Sequence, residues 1–236
     1  MIKNKKLKWA LIISFLLIEA ILFVLVQTTN GKANDVSMML VVILAALYFI
    51  TCFTKTKEYI FTALALLFTI TADFFLVALN PANELFGVIF FSFVQIFYFL
   101  RLYFNNSSKK RKRIHLILQI SISVLSQIVV LCILGENVDA LSLVSLFYFS
   151  NFVLNVVFAF IQRKKSLIFA IGLLLFLCCD ILVGLNGIFS MYFRSDITAK
   201  IYDFVFGTVN MPWIFYVPSQ VLLALSLTSF KDRTND

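Results

Sequence analysis

The sequence predicts an all-α, polytopic membrane protein: one integral membrane domain over residues 1–236, folded as a bundle of eight transmembrane helices with both termini cytoplasmic. Three observations predict it. Hydrophobic residues make up 61% and charged residues 14% of the 236, with a mean hydropathy of +0.98, whereas a soluble domain carries roughly 45–50% apolar and about 25% charged residues. Apolar runs of about 20 residues, the length that crosses a bilayer, recur eight times along the chain. Lysine and arginine gather in short clusters between alternate runs, as they do in cytoplasmic loops. With 28 Phe against 7 Gly and 3 Pro, the composition excludes the disordered, collagen-like, disulfide-rich and soluble-enzyme classes.

The spans are expected near residues 8–27, 36–54, 59–79, 85–104, 114–134, 140–161, 167–188 and 206–229. The first follows MIKNKKLKW and has the look of a signal peptide. Its apolar part is too long, it contains Glu19, and no small-residue cleavage site follows, so it is expected to stay attached as span one. The third carries Asp73, with Asn80 just beyond it. In the fourth, Ser92, Gln95 and Tyr98 recur every three residues on one face. The fifth has His115, Gln119, Ser123 and Gln127; the sixth has Tyr148, Asn151 and Asn155. The seventh carries Asp180 and Asn186. The eighth carries Trp213, Tyr216 and Gln220, and is the one span that looks broken, by Pro212 and Pro218. Loops of four to nine residues make sequential helices antiparallel neighbours, with one longer outer loop around 189–205 and no soluble domain on either face.

Orientation follows from the cations. Lys3, Lys5, Lys6 and Lys8, then Lys55 and Lys57, then Arg101 with Lys109, Lys110, Arg111, Lys112 and Arg113, then Arg163, Lys164 and Lys165, and finally Lys231 and Arg233 fall on one side. Lys32, Arg194 and Lys200 fall on the other. Seventeen against three places the first side in the cytoplasm, in a membrane expected to be the bacterial cytoplasmic membrane. The net charge of +8 is thereby accounted for by topology and contact with anionic membrane lipids, and no basic surface is left for nucleic acid. Cys52, Cys132, Cys178 and Cys179 all lie in apolar runs and read as small buried residues. With His115 the only histidine, neither a metal site nor any other cofactor is expected.

Two spans echo each other. LLFTITADFFLVALNP and LLLFLCCDILVGLNG each hold an aspartate about fourteen residues into the helix with an Asn beyond it, one residue out of register (seven residues from Asp73 to Asn80, six from Asp180 to Asn186). Spans four and eight each pair a Gln with a Tyr. The pattern suggests two parallel four-helix halves. Glu19, Asp73 and Asp180 are the three acidic residues well inside spans, where a carboxylate is costly and normally faces the bundle interior. Both aspartates should lie roughly 9–12 Å below the outer hydrocarbon surface at 1.5 Å per residue. Two carboxyls sharing a low-dielectric cavity do not both ionise readily, leaving one protonated acid beside one ionised base. Glu19 could line the same cavity or pair with a neighbour. The stripes on spans five and six read as interhelical hydrogen bonding. His115 lies too near the cytoplasmic end to form a triad with either aspartate, and no nucleophile elbow, zincin, Walker or dinucleotide motif is present.

The segments TADFFL with ELFGVIFFSFVQIFY, then CDILVGLN with WIFYVPSQVLLALS, resemble the two signatures of the YhhN, or lysoplasmalogenase, family over most of residues 66–104 and 172–226. The departures are Ala72 where the family usually has Gly, Cys179 where it usually has Ser, and Gln95 where a His is common. The resemblance implies an eight-span fold and hydrolysis of the vinyl ether bond of lysoplasmalogens, a lysophospholipid substrate. Asp73 and Asp180 would then act as acid and base, with Gln95, Tyr98, Tyr216, Gln220, Asn80 and Asn186 placing headgroup or water. Two other readings stay open: a small proton-coupled transporter, and a non-enzymatic membrane protein keeping the family fold. Headgroup preference and oligomeric state are not legible.

Overall fold

The computed structural model describes residues 5–79, 81–163, 166–192 and 210–228. Among them are eight α-helices and no strand: α1 Lys5–Thr28, α2 Lys32–Thr51, α3 Lys57–Asp73, α4 Glu84–Asn105, α5 Lys109–Leu134, α6 Ala140–Ile161, α7 Leu167–Tyr192 and α8 Met211–Leu225. A π-helical turn, Phe74–Ala78, extends α3, and a 3₁₀ turn, Gly135–Asn137, extends α5. Seven of the helices are long and apolar enough to span a membrane. The chain is an integral, multi-pass membrane protein.

Short polar links start the helices. The side chains of Thr56, Asn83, Ser108 and Asp139 each accept a hydrogen bond from the backbone N–H three residues on, opening α3, α4, α5 and α6. Between α1 and α2 the chain reverses through Gly31, whose φ of +62° is readily adopted only without a side chain.

Two expectations need correction. The helix of span seven runs on to Tyr192, into what reads as the outer loop, because GIFSMY has no proline and its single glycine costs only about 1 kcal/mol. The described eighth helix has 15 residues, about 22 Å at 1.5 Å each, and is shorter than the expected 206–229. It opens with Pro212 in its first turn and ends in a turn at Ser226; residues 206–209 and 229 lie outside the described residues. Arg101, expected at the end of span four, lies there in α4 and is 1% exposed.

The two halves repeat their neighbours. α1 packs on α2 as α5 packs on α6, α2 on α3 as α6 on α7, and α3 on α4 as α7 on α8. The halves meet through α2 with α8 and, equivalently, α6 with α4. The π turn fits one more residue than an α turn, and one residue is the offset between the two aspartate segments. Gly87 of α4 lies so close to Leu76 in that turn that a Cβ there would clash with its side chain.

Two sets of hydrogen bonds fix the ends of the bundle. Gln27 at the end of α1 exchanges two 3.1 Å hydrogen bonds with the backbone of Asn210 before α8. After α8, Ser226 and Thr228 meet Arg101 at the end of α4 and Tyr48 near the end of α2. The start of α1 and the end of α8 therefore share one end of the bundle with the basic clusters, here called the basic end. Polarity is arranged inside out. Gln95, Asn155, Arg101 and Gln220 are buried while Leu17, Val24, Ile120 and Ile133 are exposed, as expected where lipid is the solvent and polar groups must be satisfied within the bundle.

Candidate functional site

Thr62, Leu66, Thr69 and Asp73 fall on one helical face of α3 and all are buried. The hydroxyls of Thr62 and Thr69 donate back to the carbonyls of Glu58 and Ala65 at 2.7 and 2.9 Å, so they place little polar demand across the interface. Asp73, last on the face, accepts a hydrogen bond from the Tyr216 hydroxyl of α8. On α7, Asp180 accepts from the Tyr148 hydroxyl of α6. The two carboxyls are close enough to feel each other's charge, and Cys179, next to Asp180 in the chain, feels both. Asp73 is buried and Asp180 keeps partial exposure.

An aromatic wall joins the two Asp–Tyr pairs. Phe176, one turn before Asp180, sits edge-on to Tyr216 with ring centroids 5.5 Å apart, and packs on Phe91 and Phe152 at 5.6 and 5.0 Å. Those two rings pack on Tyr148. Trp213 meets the other side of Tyr216 at 4.8 Å. Both phenols are thus held by ring contacts independent of their hydrogen bonds, which orients the carboxyls they serve. The site lies toward the end of the bundle opposite the basic clusters, since Asp73 closes α3 and Tyr216 is in the first turns of α8.

The remaining candidates divide. Gln95 lies beside the Tyr148 hydroxyl. Asn155 donates to its backbone carbonyl at 2.8 Å and to Oε1 at 3.0 Å, leaving Nε2 without a partner among the described residues. Gln220 is buried one turn beyond Tyr216, with Oε1 unpartnered. Asn186 lies six residues past Asp180, its Oδ1 also unpartnered. Tyr98 joins a different cluster: it meets Phe169 edge-on at 5.4 Å and interacts with Arg101. Asn80 lies outside the described residues. Glu19 is buried in a separate, mostly apolar groove of about 310 Å³ between α1 and α8, beside Val217 and Pro218.

The polar stripes on spans five and six also divide. Gln119 and Ser123 donate to Asn151, and Gln127 donates to the Leu143 carbonyl, which is interhelical bonding as expected. Tyr148 and Asn155 also bond between helices, and their partners are Asp180 and Gln95, which the stripe alone did not show. Their signal was the seven-residue spacing that puts both on one face of α6. His115 stacks on Phe158 with centroids 3.7 Å apart and meets Phe99 edge-on. Among the described residues no three His, Cys, Asp or Glu side chains converge as a metal site.

Two carboxyls, each steered by a phenol, beside buried amides and enclosed by aromatic rings can donate a proton, hold one negative charge and orient water. Comparison with known proteins gives a family-level match: the YhhN family profile matches residues 33–227. No curated protein and no solved structure shows significant similarity to the chain. The matched stretch takes in both aspartates, both tyrosines and every helix from α2 to α8, and the chain belongs to the YhhN family.

Proposed function

We propose that the protein is a lysoplasmalogenase-type hydrolase that cleaves the vinyl ether of a lysophospholipid within the membrane. The observation that carries this reading is the paired arrangement Tyr216–Asp73 and Tyr148–Asp180, with the carboxyls in mutual electrostatic range. Vinyl ether cleavage begins with protonation of the β-carbon. The alkenyl π pair takes the proton, and an oxocarbenium ion forms at the α-carbon. Water adds there and loses its proton to the base, and the hemiacetal then collapses to a fatty aldehyde and the free glycerol hydroxyl. One molecule of water is consumed, and the proton given at the start is recovered.

The demand resembles that of glycoside hydrolysis, which two carboxyl groups also meet. Asp180 is the more exposed of the two residues, so in this reading it is the one that meets the lipid. Asp73, buried beneath Tyr216, completes the shared charge. Gln95 Nε2 and Gln220 Oε1 have unused hydrogen-bonding capacity and would hold water or the glycerol hydroxyl. With the basic end in the cytoplasm, as the charge bias implies, the site opens toward the outer leaflet.

The test is aldehyde release by the purified protein from a vinyl-ether lysolipid, beside the saturated alkyl-ether analogue, in D₂O. The reading requires aldehyde from the vinyl ether alone, with one deuterium on the carbon next to the carbonyl. Aldehyde without that deuterium, or no aldehyde across headgroups and pH, contradicts it. A proton-coupled carrier draws on Glu19, whose carboxylate oxygens are buried without a partner among the described residues. It would show substrate-dependent proton movement in vesicles that Glu19→Gln abolishes.

A further inference from the structure

A second polar feature sits at the basic end, away from the carboxyl pair. A groove of about 820 Å³ opens between the α4–α5 link, the start of α5 and the end of α6, within the usual range for a small-molecule pocket of roughly 300–1,000 Å³. Arg111 and Arg163 line it, together with Val157 and Ile161. Both arginines are exposed. Val157 and Ile161 are 48% and 54% exposed, facing where acyl chains run.

Two buried amides also line the groove, each anchored at one end. Asn106, 4% exposed, accepts from the Ser108 N–H through Oδ1 at 3.1 Å, and its Nδ2 has no partner among the described residues. Gln162, 8% exposed, donates through Nε2 to the Leu102 carbonyl at 3.1 Å, and its Oε1 is likewise unpartnered. A buried amide group without a partner is costly, so the two point to a ligand that supplies an acceptor and a donor together. Two guanidiniums add a site for a phosphate, which arginine binds with matched geometry.

We infer that this groove binds an anionic glycerophospholipid with a hydroxylated headgroup, phosphate on Arg111 and Arg163, headgroup oxygens on Asn106 and Gln162, and one acyl chain along α6. It is not the headgroup end of the proposed hydrolysis site. Gln162 and Tyr148 are fourteen residues apart along α6, about 21 Å, whereas phosphate and vinyl ether of one lysolipid are separated by a single glycerol. The inference stands whether or not the carboxyl pair is catalytic.

The test is native mass spectrometry of the full-length protein titrated with phosphatidylglycerol, with phosphatidylcholine of the same chains, and with glycerol 1-phosphate alone. Phosphatidylglycerol should bind about tenfold or more tighter than phosphatidylcholine, and Arg111→Gln with Arg163→Gln should remove that preference. Lys109→Gln with Lys110→Gln removes equal charge from the same helix end without touching the groove and should change binding less than threefold. Val157→Trp, which fills the apolar wall, should weaken phosphatidylglycerol while leaving the arginines in place. The inference is overturned if the lipids bind alike, if the lysine pair matters as much as the arginine pair, or if glycerol 1-phosphate binds as tightly as the lipid, which would make it a site for a soluble anion. Helicity and monomer mass of each variant guard against misfolding.

Discussion

Removing one oxygen from Tyr216 separates its chemical role from its packing role. The Tyr216→Phe side chain keeps the edge contacts to Phe176 and Trp213 and loses only the hydroxyl that donates to Asp73. A hydrogen bond to a charged group is worth about 1.5–3 kcal/mol, and about 1.4 kcal/mol is one decade in rate, so turnover should fall roughly 12- to 150-fold. The loss should appear in kcat with KM changed less than about threefold, because the phenol positions a carboxyl rather than holding the lipid. The assay is aldehyde release from a vinyl-ether lysolipid over a range of substrate concentrations, with thermal unfolding followed in parallel. Unchanged kcat would refute the coupling of Tyr216 to the chemistry. A fall in rate matched by loss of folded protein would make the bond structural only.

Three further outcomes follow from the packing. Gly172 of α7 lies where a Cβ would meet Leu222 Cβ and the Leu223 backbone nitrogen, both at 3.2 Å, so Gly172→Ala should destabilise the bundle by about 1–3 kcal/mol. Gly184→Ala on the same helix, with nothing within 4 Å, should leave stability equal or raise it by up to about 1 kcal/mol; thermal unfolding of the two variants checks the contrast. Arg101→Ala should cost about 2–5 kcal/mol through the cavity it leaves. Arg101→Met should recover most of that, because Thr62 and Ser226 each donate to a backbone carbonyl of their own helix and are not orphaned. Asp139 caps α6 through the Ser142 hydroxyl and N–H, which hold its carboxyl below its ordinary value of 3.8. Its ionised form is the one the fold favours, so its contribution is present above about pH 4 and is lost as pH falls through the lowered value. Acid titration of thermal stability should show a smaller drop in Asp139→Ala than in the parent.

Much of the frame was legible in the hydropathy, because a run that must cross lipid announces its length and its intolerance of charge. The aspartates stood out for the same reason. Helix rotation was not legible: nothing in FYFSNFVLN says that Tyr148 turns to Asp180 while Asn151, three residues on, turns to Gln119 and Ser123. Tyr98 and Gln95 share a stripe by spacing, yet one meets Arg101 and the other lies beside Tyr148, because they are separated along the helix axis and face different neighbours. Arg101 counts with the cytoplasmic cations at the end of span four, and its sequence neighbours give no sign of burial. Its burial depends on Thr62, Ser226 and the Phe169 face, 3.8 Å from its guanidinium carbon, and these come from α3, the turn after α8, and α7. The one-residue slip between the aspartate segments became interpretable only with the π turn at Phe74–Ala78 in view.

The account rests on two carboxyls acting as a unit, so the most direct measurement is turnover of a vinyl-ether lysolipid by Asp73→Asn and Asp180→Asn, each beside the parent. General acid–base groups contribute about 10²–10⁴-fold, and each substitution should remove at least that much while leaving the yield of folded protein intact, with the double variant little worse than either single one. If the parent releases aldehyde and either folded variant retains activity within a fewfold of it, the paired-carboxyl mechanism is contradicted.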